Sequence, residues 1–447
     1  MGADHSRPAQ SSPPGLRRIL IATVVPLFAI TVIAAVVLWP GDGQAGEQTD
    51  PVPRYQGTVT KVVTEACPPA PEVPEETPGV SDGTCGTVTV KVGQGPDTGK
   101  QVEVPVPSGP GAPTVAAGDE IILLKLIDPS DPAVSSYNIA EHQRGKPLIW
   151  LVALFAAAIV AFGRLRGLAA LAGLGASFAI LLTFVVPGIS AGGSPLLIAI
   201  TGSALIMFVV LYLTHGITAQ TSVAVLGTLG SLVLTGILGT LATAATHLTG
   251  FGSEEATTLS MLQRDVDLHG LLLAGIIIGS LGVLDDVTVT QAATVTELAH
   301  ANPGLSRVQL YRAATRVGRA HIASTVNTIV LAYAGASLPL LLLLTADSRP
   351  ASEILTSEFL AQEIVRSGVA TLGLIAAVPL TTGLAALVTT AGRGTAAVPA
   401  PGTATPPSSR PPADRSAALE ALTAPRFGSP ASPEKWPAPE RTTDTAW

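Results

Sequence analysis

The fold class the sequence predicts is an α-helical polytopic membrane protein of about eight transmembrane helices with a small extracytoplasmic β-barrel-like domain. Three observations predict it. Of 447 residues 47% are hydrophobic and only 13% charged, and the apolar residues fall in long uninterrupted runs. Between the first run and the second lies a stretch of alternating apolar and polar residues, and after the last comes a tail rich in Pro, Ala, Ser and Thr. The net charge of −7 comes with acidic residues gathered in 41–145 and arginines in short loops, which is no footprint for nucleic acid.

A bilayer core about 30 Å thick takes roughly 20 helical residues. By that measure the spans are 17–39, 147–163, 167–187, 195–214, 221–246, 268–290, 320–345 and 364–390. The second is short and ends in "GRLRG", which predicts a tight hairpin with the third. The first reads as a retained anchor, with a cleaved signal peptide ending near Ala45 as the alternative. Residues 1–16 precede it as a cytoplasmic tail.

Orientation follows from the arginines. Arg17 and Arg18, Arg164 and Arg166, and the group Arg307, Arg312, Arg316 and Arg319 fall on one side if the number of spans is even, and that side is the cytoplasm. Arg264, Arg349 and Arg366 run against the rule. Residues 40–146 are then outside. There "QGTVTKVV", "CGTVTVKV", "KQVEVPV" and "GDEIILLKLI" read as short strands joined by Gly and Pro turns, as in a small OB- or SH3-like barrel. Cys67 and Cys85 flank the loop "PPAPEVPEETPGVSDGT". In an oxidising compartment they predict a disulfide, and two unpaired thiols are the alternative. Residues 391–447 lack apolar periodicity and are expected to form a disordered cytoplasmic tail.

Function is sought in the bundle, 147–390. The fifth span repeats Gly227, Ser231, Thr235, Gly239 and Thr243 at every fourth position, a spacing that lets neighbouring helices approach closely. The sixth has Gly275, Gly279, Gly282 and then Asp286 on one helical face, so Asp286 is expected on the packed face and Asp285 about 100° away from it. An ionised carboxylate in hydrocarbon is costly. Three readings therefore stay open: the helix ends early and both aspartates reach headgroup water; they belong to a buried ion pair; or they line a functional polar path. The tract Thr288, Thr290, Gln291, Thr294, Thr296 and Glu297 extends the polar character to "ANPG" at 301–304. Hydroxyl, amide and carboxylate oxygens suit a hard cation or a proton relay. The seventh span adds His321, Ser324, Thr328 and Gly335 on one face, with Asn327 and Tyr333 nearby. A membrane histidine is ordinarily a hydrogen-bonded packing residue, but one facing a carboxylate can share protons near neutral pH.

"GSLGVLDDVTVTQAATVTELAHANP" with "GRAHIASTVNTIVLAYAGASLPLLLL" resembles the YibE/F-like family of bacterial polytopic membrane proteins, over roughly residues 55 to 390. The resemblance implies a bacterial cell membrane, a first span, an extracytoplasmic β-rich domain and a seven-helix bundle. It implies motif positions at Asp285, Asp286, Glu297, Asn327 and Tyr333, and an acidic residue where this chain has Ala320. It implies no activity.

Two function classes follow. One is a transporter or channel for an ion or small-molecule solute, with Asp285, Asp286, Thr290, Glu297, His321, Asn327 and Tyr333 as pathway candidates. The other is a membrane scaffold or envelope sensor whose outer domain binds a partner. The density of Gly and polar residues in spans five to seven favours the first, and the lack of an evident inverted repeat weighs against it. An intramembrane enzyme is not expected: adjacent aspartates on one helix do not make an aspartyl dyad, no HExxH motif occurs, and no cofactor or metal is implied.

Overall fold

The structure is a computed structural model, and it describes residues 14–41, 53–66, 84–107, 112–127, 135–263, 266–339, 341–342 and 350–391. The predicted tail beyond residue 391, residues 1–13, Ala45 and Cys67 lie outside this set, as does part of the predicted span 320–345.

Helix α1 (Pro14–Val37) is followed by five strands, β1 (Arg54–Ala66), β2 (Thr84–Val92), β3 (Gln101–Pro105), β4 (Glu120–Ile127) and β5 (Ser135–His142). All pairings are antiparallel, in the order β3-β2-β1-β4-β5. The strand β1 divides its length between two partners. Arg54–Thr58 pair with β4 and Gly57–Ala66 with β2, with a register shift between Val59 and Lys61. The sheet bends there, and Val59, Val88, Val90, Val104, Ile121 and Leu123 are buried within the curve. A β-carbon on Gly57 would meet Val90 and Leu123 across that curve, so only glycine lets it close so tightly.

The predicted barrel is not closed. The strands β3 and β5 approach each other, but no hydrogen-bonded ladder joins them. One reason is local, since β3 is five residues long and ends on Pro105, which has no N–H to donate. Side chains bridge the seam instead. Tyr137 on β5 donates its hydroxyl to Asp97 at 2.6 Å, and Lys125 on β4 reaches the same carboxylate at 3.0 Å. The strand β5, "SSYNIAEH", carries too weak an alternation to be read beforehand; its inward Tyr137 is the one strong signal.

The remainder is helical: α2 (Gly145–Ile180), a π turn (Leu181–Val185) continuing into α3 (Val186–Ser190), α4 (Pro195–His215), α5 (Ala219–Ala245), α6 (Glu254–Leu262), α7 (Leu268–Ala301), α8 (Arg307–Ala336), α9 (Ala351–Leu355) and α10 (Glu358–Ala391). Within α2 the backbone leaves helical geometry at Arg164 (φ 52°, ψ −128°). A β-carbon on Gly167 would collide with the carbonyl of Ile159. Residues eight apart in a straight helix are separated by about 12 Å, so the chain turns back on itself here, and the segment is a hairpin of two helices. Among the described residues six helical segments are long and apolar enough to cross a membrane, counting this hairpin as one and excluding the more charged α8.

Sequence sets the helix ends. Thr218, Ser253, Asp267 and Ser306 each cap a helix by accepting a backbone N–H, and Ser306 forms a reciprocal capping box with Gln309. The helix α7 runs 34 residues, to Ala301, where Asn302 and Pro303 end it. Beyond the apolar span that ends at 290 the helix runs on through the polar tract to the break expected at 301–304, because threonine and glutamine tolerate a helix when their side chains find partners within it. The helices α5, α7 and α10 pack together as a core, with α8 against α7 and α10, and α4 between α2 and α7.

Candidate functional site: a buried polar column

The core of the bundle is polar where three helices meet. Thr228, Ser231 and Thr235 on α5, Thr288 and Gln291 on α7, and Thr381 and Thr382 on α10 are all fully buried. The small-residue row on α5 makes the approach possible. Gly227 lies against Thr381, and Gly239 against Leu273, Ile276 and Val369, while on α10 Gly373 lies against Thr235. Several hydroxyls satisfy themselves on their own helix, as Ser231 does on the Gly227 carbonyl (2.8 Å) and Thr235 on that of Ser231 (2.8 Å). Others cross between helices. Thr228 and Thr288 hydroxyls meet at 2.5 Å, and Thr382 donates to the Gln291 side-chain oxygen at 2.9 Å.

Among the described residues Asp285 Oδ1, Gln291 Nε2, Thr315 Oγ1 and Thr381 Oγ1 on α7, α8 and α10 have no hydrogen-bond partner, as have Ser203 Oγ, His321 Nε2 and Arg366 Nε elsewhere in the bundle. An unpaired buried polar atom costs about 1–3 kcal/mol, and a native interior rarely tolerates several together. Pro379 adds to the polarity, because a proline inside α10 cannot donate to the carbonyl four residues earlier. The arrangement is a column of donors and acceptors, several of them unused among the described residues. Among the described residues no group of three or more His, Cys, Asp or Glu is placed to hold a metal ion.

The aspartates are placed otherwise than their spacing suggested. Asp285, with one carboxylate oxygen buried, turns inward, whereas the Asp286 side chain is 70% exposed. The row Gly275, Gly279 and Gly282 is exposed as well, and among the described residues only the Tyr333 hydroxyl comes near it, beside Gly279. The helical spacing was right and its direction wrong: α7 buries the face bearing Ser280, Leu284, Thr288 and Gln291, which is equally periodic. Both aspartates stand at the middle of the 34-residue α7, which leaves little support for an early helix end.

The other candidates divide among three places. His321 Nε2 lies 3.8 Å from Asp286 Oδ2 on the outer side of α7 and α8. Thr290 and Glu297 line an open cleft of about 650 Å³ with His215, Gln220 and Thr294. Tyr333 packs with Val287, Ile329, Leu374 and Val378, its hydroxyl near Gly279, while Asn327 is exposed on α8. The structure thus joins Asp286 to His321 and Thr290 to Glu297 but does not gather all seven. Thr228, Thr315, Thr381 and Thr382 were not singled out by sequence reading. The signal available for the last two was "PLTTG", adjacent threonines beside a proline in an otherwise apolar run.

Long apolar helices packed through glycine and threonine around a polar interior define a polytopic membrane protein. The chain belongs to the YibE/F-like protein family, whose model matches residues 151–391. The match covers the helical bundle and leaves α1 and the sheet domain outside it. No curated protein and no solved structure matches the chain.

Proposed function

We propose that this protein passes an ion or small polar solute across a bacterial cell membrane along the column between α5, α7, α8 and α10. The carrying observation is the concentration of unpaired buried polar atoms, Asp285 Oδ1, Gln291 Nε2, Thr315 Oγ1 and Thr381 Oγ1, within one membrane-spanning bundle. Helices that serve only as an anchor need no such interior, and an intramembrane carboxylate is by default a functional group. In this reading the sheet domain is extracytoplasmic, the hairpin at Arg164 makes two passes, α8 completes eight, and both ends of the chain are cytoplasmic. Asp285 supplies charge, Thr288, Gln291, Thr381 and Thr382 supply oxygens and amide, and the cleft at Thr290 and Glu297 is the cytoplasmic mouth. No catalysis is involved.

A second reading has its own support. The seam between β3 and β5 forms a recess of about 530 Å³ lined by Lys100, Glu103, Ser135 and Tyr137, a polar surface on which a sensor domain could hold an envelope partner.

The test is flux. The full chain is reconstituted in liposomes loaded with ion- and pH-sensitive dyes, and a panel of inorganic ions and small metabolites is applied as gradients. Expected is a flux for at least one of them that is lost in Gln291→Leu protein of equal folded content. Impermeability to the whole panel in correctly folded wild type would favour the second reading.

A further inference from the structure

The outer face shared by α7 and α8 does not suit lipid. On α7 the exposed row Gly275, Gly279 and Gly282 leads to Asp286. A β-carbon on Gly275 or Gly282 would meet nothing within 4 Å among the described residues. The Asp286 side chain is 70% exposed at mid-helix, and His321 lies beside it at 3.8 Å. On α8 the face continues through Ser324, Thr328, Leu331 and Gly335, all exposed, with the Thr328 hydroxyl donating to the Ser324 carbonyl on its own helix. A carboxylate exposed at the middle of a membrane helix therefore requires a cover other than hydrocarbon.

The geometry points to a second copy of this chain as that cover, packed through α7 and α8 against the same two helices about a two-fold axis. The choice of occupant rests on complementarity. The strip carries an exposed acceptor, Asp286, beside the partly exposed His321 ring, whose Nε2 is buried, so an isologous contact offers each carboxylate to the exposed edge of the other copy's imidazole. Serine and threonine hydroxyls serve equally as donor and acceptor, which suits a surface that must match itself. Gly275 and Gly282 leave the backbone bare where the two α7 helices would cross, and close approach is the main source of helix association in lipid. The inference rests on the membrane-spanning class of the protein and is independent of whether it transports.

The test uses the full chain in its membrane. Cysteine is introduced at Gly282, where open space tolerates it, in two versions carrying different epitope tags that are expressed together. Membranes are treated with a short membrane-permeant bifunctional thiol reagent. Leu241→Cys, on a lipid-suited position of α5 that is 63% exposed, reports random collision, and the unaltered chain reports crosslinking through its native cysteines. The expected result is a band at twice the chain mass of 45.2 kDa carrying both tags, at least several-fold stronger for Gly282→Cys than for either control. A second variant, Gly282→Trp, should shift the protein in nanodiscs from dimer to monomer mass while its thermal midpoint stays near wild type. Equal crosslinking at Leu241, no crosslinking at Gly282 in folded protein, or capture of a chain of different mass would overturn the proposal. Flux measured on the same preparations reports separately on transport.

Discussion

The hydroxyl of Thr382 on α10 donates to the side-chain oxygen of Gln291 on α7 across 2.9 Å, with both side chains fully buried between apolar helix surfaces. A bond of this kind fixes the rotation of one helix against the other, because slipping either by one residue would strand two polar groups in a low-dielectric interior. It also leaves Gln291 half used, since its amide nitrogen has no partner.

Removing one end of that bond should therefore cost more than removing both. Gln291→Leu leaves the Thr382 hydroxyl unpaired, at about 1–3 kcal/mol, and should lower the thermal midpoint in detergent. Gln291→Leu with Thr382→Val should recover part of the loss, with a coupling energy of about 0.5–3 kcal/mol. Strictly additive losses would show that the bond contributes nothing.

The sheet domain should weaken in acid for an identifiable reason. Hydrogen bonds from Lys100, Tyr137 and Lys125 hold the Asp97 carboxyl well below the usual carboxylate range. Its folded pKa lies below its unfolded one, so its stabilising contribution is fully present above the ordinary value of 3.8 and fades as the pH falls below it. Hydrogen-exchange protection of β2, β3 and β5 in the full chain, corrected for intrinsic rates, should drop on acidification. Asp97→Asn should show lower protection near neutrality and a flatter profile. An unchanged acid response in that variant would assign the effect to another group.

The general architecture was legible because bilayer thickness and strand alternation leave strong periodic marks. The hairpin at "GRLRG" is local chemistry and was readable for that reason; the capping box of Ser306 and Gln309 is equally local but went unread, so the span was begun at 320 rather than 307. Which face of α7 turns inward was not. Gly275, Gly279, Gly282 and Asp286 make one periodic row, and Ser280, Leu284, Thr288 and Gln291 make another. Spacing ranks neither; packing against Thr228 and Thr382 does. Likewise no local rule says that a sheet with five strands stops short of closure, since that depends on where Pro105 meets β5.

Cys67 lies outside the described residues, so the staple stays an expectation to be tested. Ala66 pairs with Thr84 and Glu65 with Cys85, so the chain leaves β1 beside the point where it enters β2. Protein from the oxidising side should yield no alkylatable thiol before reduction. A staple closing this loop contributes about 3 kcal/mol on chain-entropy grounds, so reductant should lower protection of β1 and β2 in particular. Two free thiols in unreduced protein would remove the staple.

Sidedness can be settled at the start of α8. Gln309 sits in its exposed first turn, three residues after the cap Ser306. A cysteine there should react with an impermeant thiol reagent only after cells are opened. Labelling in intact cells would invert the topology and place the sheet domain inside.

The paired aspartates give the sharpest separation of readings. Asp285 now occupies the place that spacing assigned to Asp286, so the neutral isosteres should differ in the reverse order. Asp285→Asn keeps size and hydrogen bonding but removes charge and proton, and should abolish ion- or proton-linked flux while folded yield stays near wild type. Asp286→Asn should reduce flux per folded protein far less. A buried structural ion pair behaves differently: neutralising Asp285 would strand its cation at about 3–5 kcal/mol, seen as lost folded protein. If both carboxylates instead reach headgroup water, each substitution costs about 0–1 kcal/mol and leaves flux unchanged. Folded yield, thermal midpoint and flux measured on the two variants beside wild type assign one outcome to each reading. Heavy loss of folded Asp285→Asn protein would end the pathway role argued for that residue.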